Sequence, residues 1–221
     1  MTCLYTDKAK LEKGQFKLRA RRINWELVTK PEIIALGNLW VRNLNSINSP
    51  FCIFKINDSM THNLETIQFN VSPNSLGINR PKKGYVANHL YESGCGLVFS
   101  QSMLGQVSII IYPFKSELCE MTKKQIVLHC DLEPNQVTKK VIENAFQNML
   151  FYARISSQHG MSYGISVKDN IKLGLLYSRD IRSRVRRREV LLTLDNEWLK
   201  ILMAASVAAV ITLLVSWFTK I

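Results

Sequence analysis

The sequence predicts an α+β fold, a cytosolic mixed or antiparallel sheet with helices on one face, followed by one C-terminal transmembrane helix. Three observations predict it. Short apolar or alternating runs bounded by Gly and Pro read as strands. Two segments, Ile33 to Leu44 and Val137 to Ala153, repeat apolar residues at helical spacing. Finally, nineteen residues from Ile201 to Thr219 carry no charge at all. The strand–helix–strands–helix order defines the class. The implied organisation is a cytosolic α+β domain at 1–178, a basic juxtamembrane connector at 179–198 and a transmembrane tail anchor at 199–221.

Taken in order, Gln15 to Leu27 fits two periods. As a strand it places Phe16, Leu18 and Ala20 against Lys17, Arg19 and Arg21; as a helix it aligns Phe16, Ala20, Ile23 and Leu27. Thr29-Lys30-Pro31-Glu32 reads as a capped helix start, and Ile33, Leu36, Trp40 and Leu44 carry that helix to about Asn45. Asn48-Ser49-Pro50 breaks it, and Phe51–Ile56 and Thr66–Val71 are strand-like. Ser72 to Gly96 reads as a long loop containing the basic stretch Arg80-Pro81-Lys82-Lys83-Gly84. Leu97–Ser100 and Gln106–Tyr112 form a hairpin with glycine in its turn, and Gln125–Cys130 is a further buried strand. Pro134 opens the strongest helix, with Val137, Val141, Ala145, Met149 and Ala153 on one face. Ser156 to Gly160 ends it, and Tyr163 to Val167 reads as a returning strand.

The uncharged run is long enough, at about 1.5 Å per residue, to cross a hydrocarbon core of roughly 30 Å. Trp198 and Trp217 mark its two ends, and Lys200 and Lys220 can extend to the headgroups. Arg182, Arg184, Arg186, Arg187 and Arg188 precede it, whereas Lys220 alone follows. Basic flanks stay on the cytoplasmic side. The expectation is a single-pass membrane protein with its N-terminal domain cytoplasmic. Ala204 with Ala208, and Ala205 with Ala209, form small-xxx-small pairs. Such pairs permit close helix–helix approach, and so a homo-oligomer or a subunit of a membrane complex.

Twenty-nine Lys and Arg against seventeen Asp and Glu leave a formal net charge of +12. The surplus concentrates at 8–30 and 179–221, the central body being ordinary. Lys17, Arg19, Arg21 and Arg22, with Arg80, Lys82 and Lys83, are therefore the candidate anion-binding residues. Their partners by charge are an anionic lipid leaflet, a nucleotide, nucleic acid or an acidic protein. The Arg182–Arg188 cluster is sufficiently explained by topology, though it could also hold lipid, RNA or an acidic partner.

With 47% hydrophobic and 21% charged residues, the chain is neither disordered nor collagen-like, and five unpaired-looking cysteines do not make a disulfide framework. His62, His89, His129 and His159 are far apart, and no zinc-ligand spacing occurs, so neither a metal site nor a cofactor is expected. Ser93-Gly94-Cys95-Gly96 is the one hint of a nucleophile, and it lacks the elbow spacing and a base; a tight turn explains it better. No catalytic residue is assigned. Three functions follow in rank. First is a membrane effector of bacterial antiviral-defence layout, whose basic domain senses a ligand and drives assembly of transmembrane helices. Second is a tethered adaptor for nucleic acid or an acidic protein. Third is a membrane-surface enzyme.

Overall fold

The computed structural model describes residues 2–56, 65–79, 88–116, 121 and 123–180. The connector from residue 181 onward and the 201–219 run lie outside the described residues, as do Arg80, Lys82 and Lys83, while Arg179 and Asp180 belong to the end of the last described helix. Among the described residues no helix is long and apolar enough to cross a membrane.

The architecture is α+β with an antiparallel sheet. Helix α1 (Thr2–Asn24) passes through a π-helical turn (Trp25–Thr29) directly into α2 (Lys30–Ser46). Strands β1 (Ile53–Lys55), β2 (Thr66–Val71), β3 (Asn74–Asn79), β4 (Asn88–Glu92), β5 (Gly96–Gln101), β6 (Val107–Tyr112) and β7 (Ile126–Leu132) follow. A 3-10 turn (Pro134–Gln136), α3 (Lys139–Ser156), α4 (Gln158–Tyr163) and α5 (Val167–Arg179) complete it. Five strands pair in the order β1-β2-β5-β6-β7, every pair antiparallel. Alternation decides the buried face: Ile67, Phe69, Leu97, Phe99, Ile109 and Ile111 all point to one side and are fully buried. Helices α2 and α3 lie on that side. Phe146 of α3 meets Phe69 edge-on at 5.0 Å between ring centroids and Trp40 of α2 stacked at 5.8 Å. Gly37 of α2 is buried directly over the Phe69 ring, leaving no room for a side chain there.

The other face carries polar residues that bond among themselves. The Thr66 and Ser100 hydroxyls lie 3.2 Å apart across β2 and β5, and Gln68 Nε2 donates to Asn70 Oδ1 at 2.9 Å. At the end of the domain Lys123 Nζ donates to Asp180 Oδ2 at 2.9 Å and stands over the Tyr177 ring. Asp180, the residue that follows α5, is 2% exposed, so the C-terminal end of that helix is tied to the body.

Several local expectations change. Gln15–Leu27 is helical, and Thr29 is not a helix start: its backbone is already helical (φ −69°, ψ −46°), and its hydroxyl donates to the Pro134 carbonyl instead. The π turn explains how one helix runs on through Pro31. Proline lacks the N–H and its ring crowds the carbonyl four residues earlier. The wider turn immediately before Pro31, closed by the Lys30 amide on the Trp25 carbonyl, opens that site. Within the expected loop 72–96, β3 and β4 pair as a two-stranded ribbon that follows on from the β2–β5 pairing. The expected strand at Tyr163–Val167 is the link between α4 and α5. There Ser166 and Asp169 cap α5 reciprocally, through Asp169 N to Ser166 Oγ and Ser166 N to Asp169 Oδ2.

Candidate functional site

Most of α1 stands clear of the body. Residues 7–17, 19 and 20 are all exposed. Trp25, completely buried, roots the helix where the π turn meets the core, and its indole Nε1 has no hydrogen-bond partner among the described residues. One turn earlier Arg21 reaches across to the 3-10 turn. Its Nε donates to Glu133 Oε2 at 2.6 Å, its second terminal nitrogen contacts Glu133 Oε1, and Nη1 donates to the Leu104 carbonyl at 2.9 Å. Lys17 adds a 3.5 Å ion pair to the same carboxylate. The Arg21 guanidinium hydrogen bonds hold the Glu133 carboxyl below its ordinary range.

The four basic residues assigned to α1 thus divide. Lys17 and Arg21 converge on Glu133, and Arg21 works chiefly as a tie between helix and body. Arg19 and Arg22 are exposed. Arg80, Lys82 and Lys83 fall in the segment joining β3 to β4, outside the described residues. Arg182, Arg184, Arg186, Arg187, Arg188, Trp198, Lys200, Trp217 and Lys220 lie beyond Asp180 and are likewise outside them. The same holds for the expected helix-packing residues Ala204, Ala205, Ala208 and Ala209, whose small-xxx-small face therefore stands on the sequence alone.

As a helix, α1 turns its apolar stripe to water. Phe16 is 74% exposed and Leu27 71%, with Ile23 and Val28 more than half exposed. Together with Ala20, Asn24 and the stem of Arg19 they line an open groove of ≈450 Å³. Their spacing of four, three and four residues placed them on one helix face; no sequence signal said that this face would be unpartnered by the body.

Ser93-Gly94-Cys95-Gly96 is neither a tight turn nor a nucleophile elbow. It is the kink where the β3–β4 ribbon joins the sheet. The Val71 amide donates to the Cys95 carbonyl at 2.8 Å, Ser93 bridges to Lys115, and Gly94 presses so closely on the Val71 carbonyl that no β-carbon fits. Cys95 itself is fully buried, its Sγ 3.7 Å from the Met149 carbonyl, and burial pushes its thiol well above the ordinary range. A thiol so placed is a core residue. Nearby, the buried Glu92 carboxylate accepts from the Gln158 amide at 3.0 Å and from Asn74 Nδ2 at 3.3 Å, anchoring the ribbon base to α4. Among the described residues no three His, Cys, Asp or Glu side chains gather as metal ligands.

The described residues thus form an antiparallel sheet with helices packed on it and a long basic helix, α1, extending from its root at Trp25. No protein-family model, curated protein or solved structure matches the chain.

Proposed function

We propose that the chain is a tail-anchored, single-pass membrane protein. Its basic cytoplasmic domain binds an anionic ligand or partner and drives association of the transmembrane helices, as in membrane-disrupting effectors of bacterial antiviral defence. The observation that carries this reading is the uncharged run Ile201–Thr219 with five arginines at 182–188 before it. The projecting α1 supports a binding role, because Arg19 and Arg22 are exposed while Arg21 is committed to Glu133. Burial of Cys95 removes the one nucleophile the sequence offered to an enzyme reading.

Two variants separate assembly from simple tethering. Replacing Ala205 and Ala209 by Leu blocks close approach of the helices without reducing hydrophobicity. In membranes the double variant should resist alkaline extraction like the parent but lose its cross-linked oligomers. Oligomers that persist would contradict assembly through this face. If, in addition, an unrelated anchor could replace the span without loss of partner binding, the protein would be a tethered adaptor for nucleic acid or an acidic protein.

A further inference from the structure

We infer that α1 is an interfacial helix that lies on an anionic lipid surface, its stripe of Phe16, Ala20, Ile23 and Leu27 set among the acyl-chain ends and its flanking Lys and Arg among the headgroups. At 100° per residue, these four side chains fall within about 60° of one another. Trp25 and Leu18 lie on the opposite side, which is the side turned to the body: Trp25 is fully buried, Leu18 is half-buried, and Leu18 Cδ1 is a neighbour of Gly105. The stripe is therefore presented outward by the way the helix is rooted.

Charge selects the occupant. Residues 8–22 contain seven Lys or Arg and one Glu. Lys13 borders the stripe on one side, Arg19 and Lys8 on the other, so long aliphatic stems flank the apolar face and carry their charges outward, while Lys17 and Arg21 stay with Glu133. A second copy of the chain would bring an identical positive surface against this one, and like charges at a helix seam oppose pairing. Nucleic acid would match the charge but leave Phe16, Ile23 and Leu27 in water. An anionic leaflet satisfies both over the segment 16–27: its hydrocarbon boundary takes the stripe and its headgroups take the cations. Each Lys or Arg brought to such a leaflet raises partitioning by about fivefold, and the apolar side chains add to it.

This inference goes beyond the anchor reading and does not depend on it. The test is amide hydrogen exchange on the full chain reconstituted with vesicles of phosphatidylcholine alone or mixed with phosphatidylserine. Peptides covering 8–24 should exchange about tenfold more slowly in the mixed vesicles than in the neutral ones. The double variant Phe16→Glu, Ile23→Glu should lose that difference while peptides from α3 stay as protected as in the parent, showing the fold intact. Equal exchange in the two lipids would overturn the inference. So would protection that survives in the double variant, or protection that appears without anionic lipid as protein concentration rises, which would mark a second copy. Peptides from 199–221, read in the same experiment, report the anchor separately, so failure of either idea is visible without the other.

Discussion

Two glycines in helix interiors should respond in opposite directions to the same substitution. Gly→Ala in an exposed helix gains about 1 kcal/mol from backbone entropy alone. Gly174 of α5 is exposed and a β-carbon there meets nothing within 4 Å, so Gly174→Ala should realise that gain. At Gly37 the same methyl lies 3.0 Å from Phe69 Cε2 and closer still to Cζ and Cε1. Phe69 cannot swing aside, because it is fully buried and held edge-on by Phe146. Overpacking a core of this kind costs about 1–3 kcal/mol; with the ring pinned, the upper half of that range applies, and the helix gain offsets only part of it. The net expectation for Gly37→Ala is a loss of about 1–2 kcal/mol. For a unit of this size each kcal/mol moves Tm by roughly 2–4 °C. Thermal unfolding of the full chain in mild detergent, followed by circular dichroism, should thus show Gly37→Ala melting about 3–6 °C below the parent and Gly174→Ala about 2–4 °C above it. If Gly37→Ala melts at or above the parent, α2 does not lie on the sheet over Phe69, and the packing described above is wrong.

Other consequences are equally direct. Asp180→Ala leaves Lys123 without its buried carboxylate; because Lys123 is partly exposed and keeps the Tyr177 carbonyl, the cost should be about 2–3 kcal/mol, or a Tm lower by roughly 5–10 °C, and an unchanged melt would deny the pair. Asp169 accepts from the Arg154 guanidinium and the Ser166 hydroxyl, which hold its carboxyl at about 2. Because that value is depressed, its contribution to stability is complete above pH about 4 and lost as pH falls from about 4 to about 2. An NMR titration should show this midpoint and its return toward ordinary carboxylate values in Arg154→Ala; a parent midpoint near 4 would mean the contact is not made. Thiol reagents should modify exposed Cys52 in the native protein and Cys95 only after unfolding, as read by peptide mass spectrometry. Equal rates at both would place Cys95 outside the core.

What the sequence made legible follows from burial. Strand β2, the β5–β6 hairpin and β7 each send alternate or continuous apolar residues into one core, and α3 carries a broad apolar face, so their periods are visible. Ribbon β3–β4 was not visible because Asn74-Ser75-Leu76-Gly77-Ile78-Asn79 lies beyond the main sheet and has little apolar alternation to display. Helix α5 was missed although its start is written plainly as Ser166-x-x-Asp169; its apolar residues Val167, Ile171 and Leu175 are exposed and only Leu176 is buried, so no core-facing stripe marks it. Thr29-Lys30-Pro31-Glu32 misled for the opposite reason. It is a sound local start signal, overridden by a π turn that tertiary anchoring at Trp25 and Thr29 supports. At the site, the basic character of α1 was legible, but the division of labour was not. That Arg21 is occupied depends on Glu133, 112 residues away, and that the Phe16 stripe is bare depends on which side of α1 the body takes.

The central claim, a cytoplasmic domain tethered by a C-terminal span, is tested most directly by protease digestion of the full chain inserted into sealed vesicles whose cytoplasmic face is outward. The account predicts that residues 1–180 are degraded completely and that one fragment containing Ile201–Thr219 survives until detergent is added. Survival of the N-terminal domain in intact vesicles, or digestion of the 201–219 run before detergent, would contradict it.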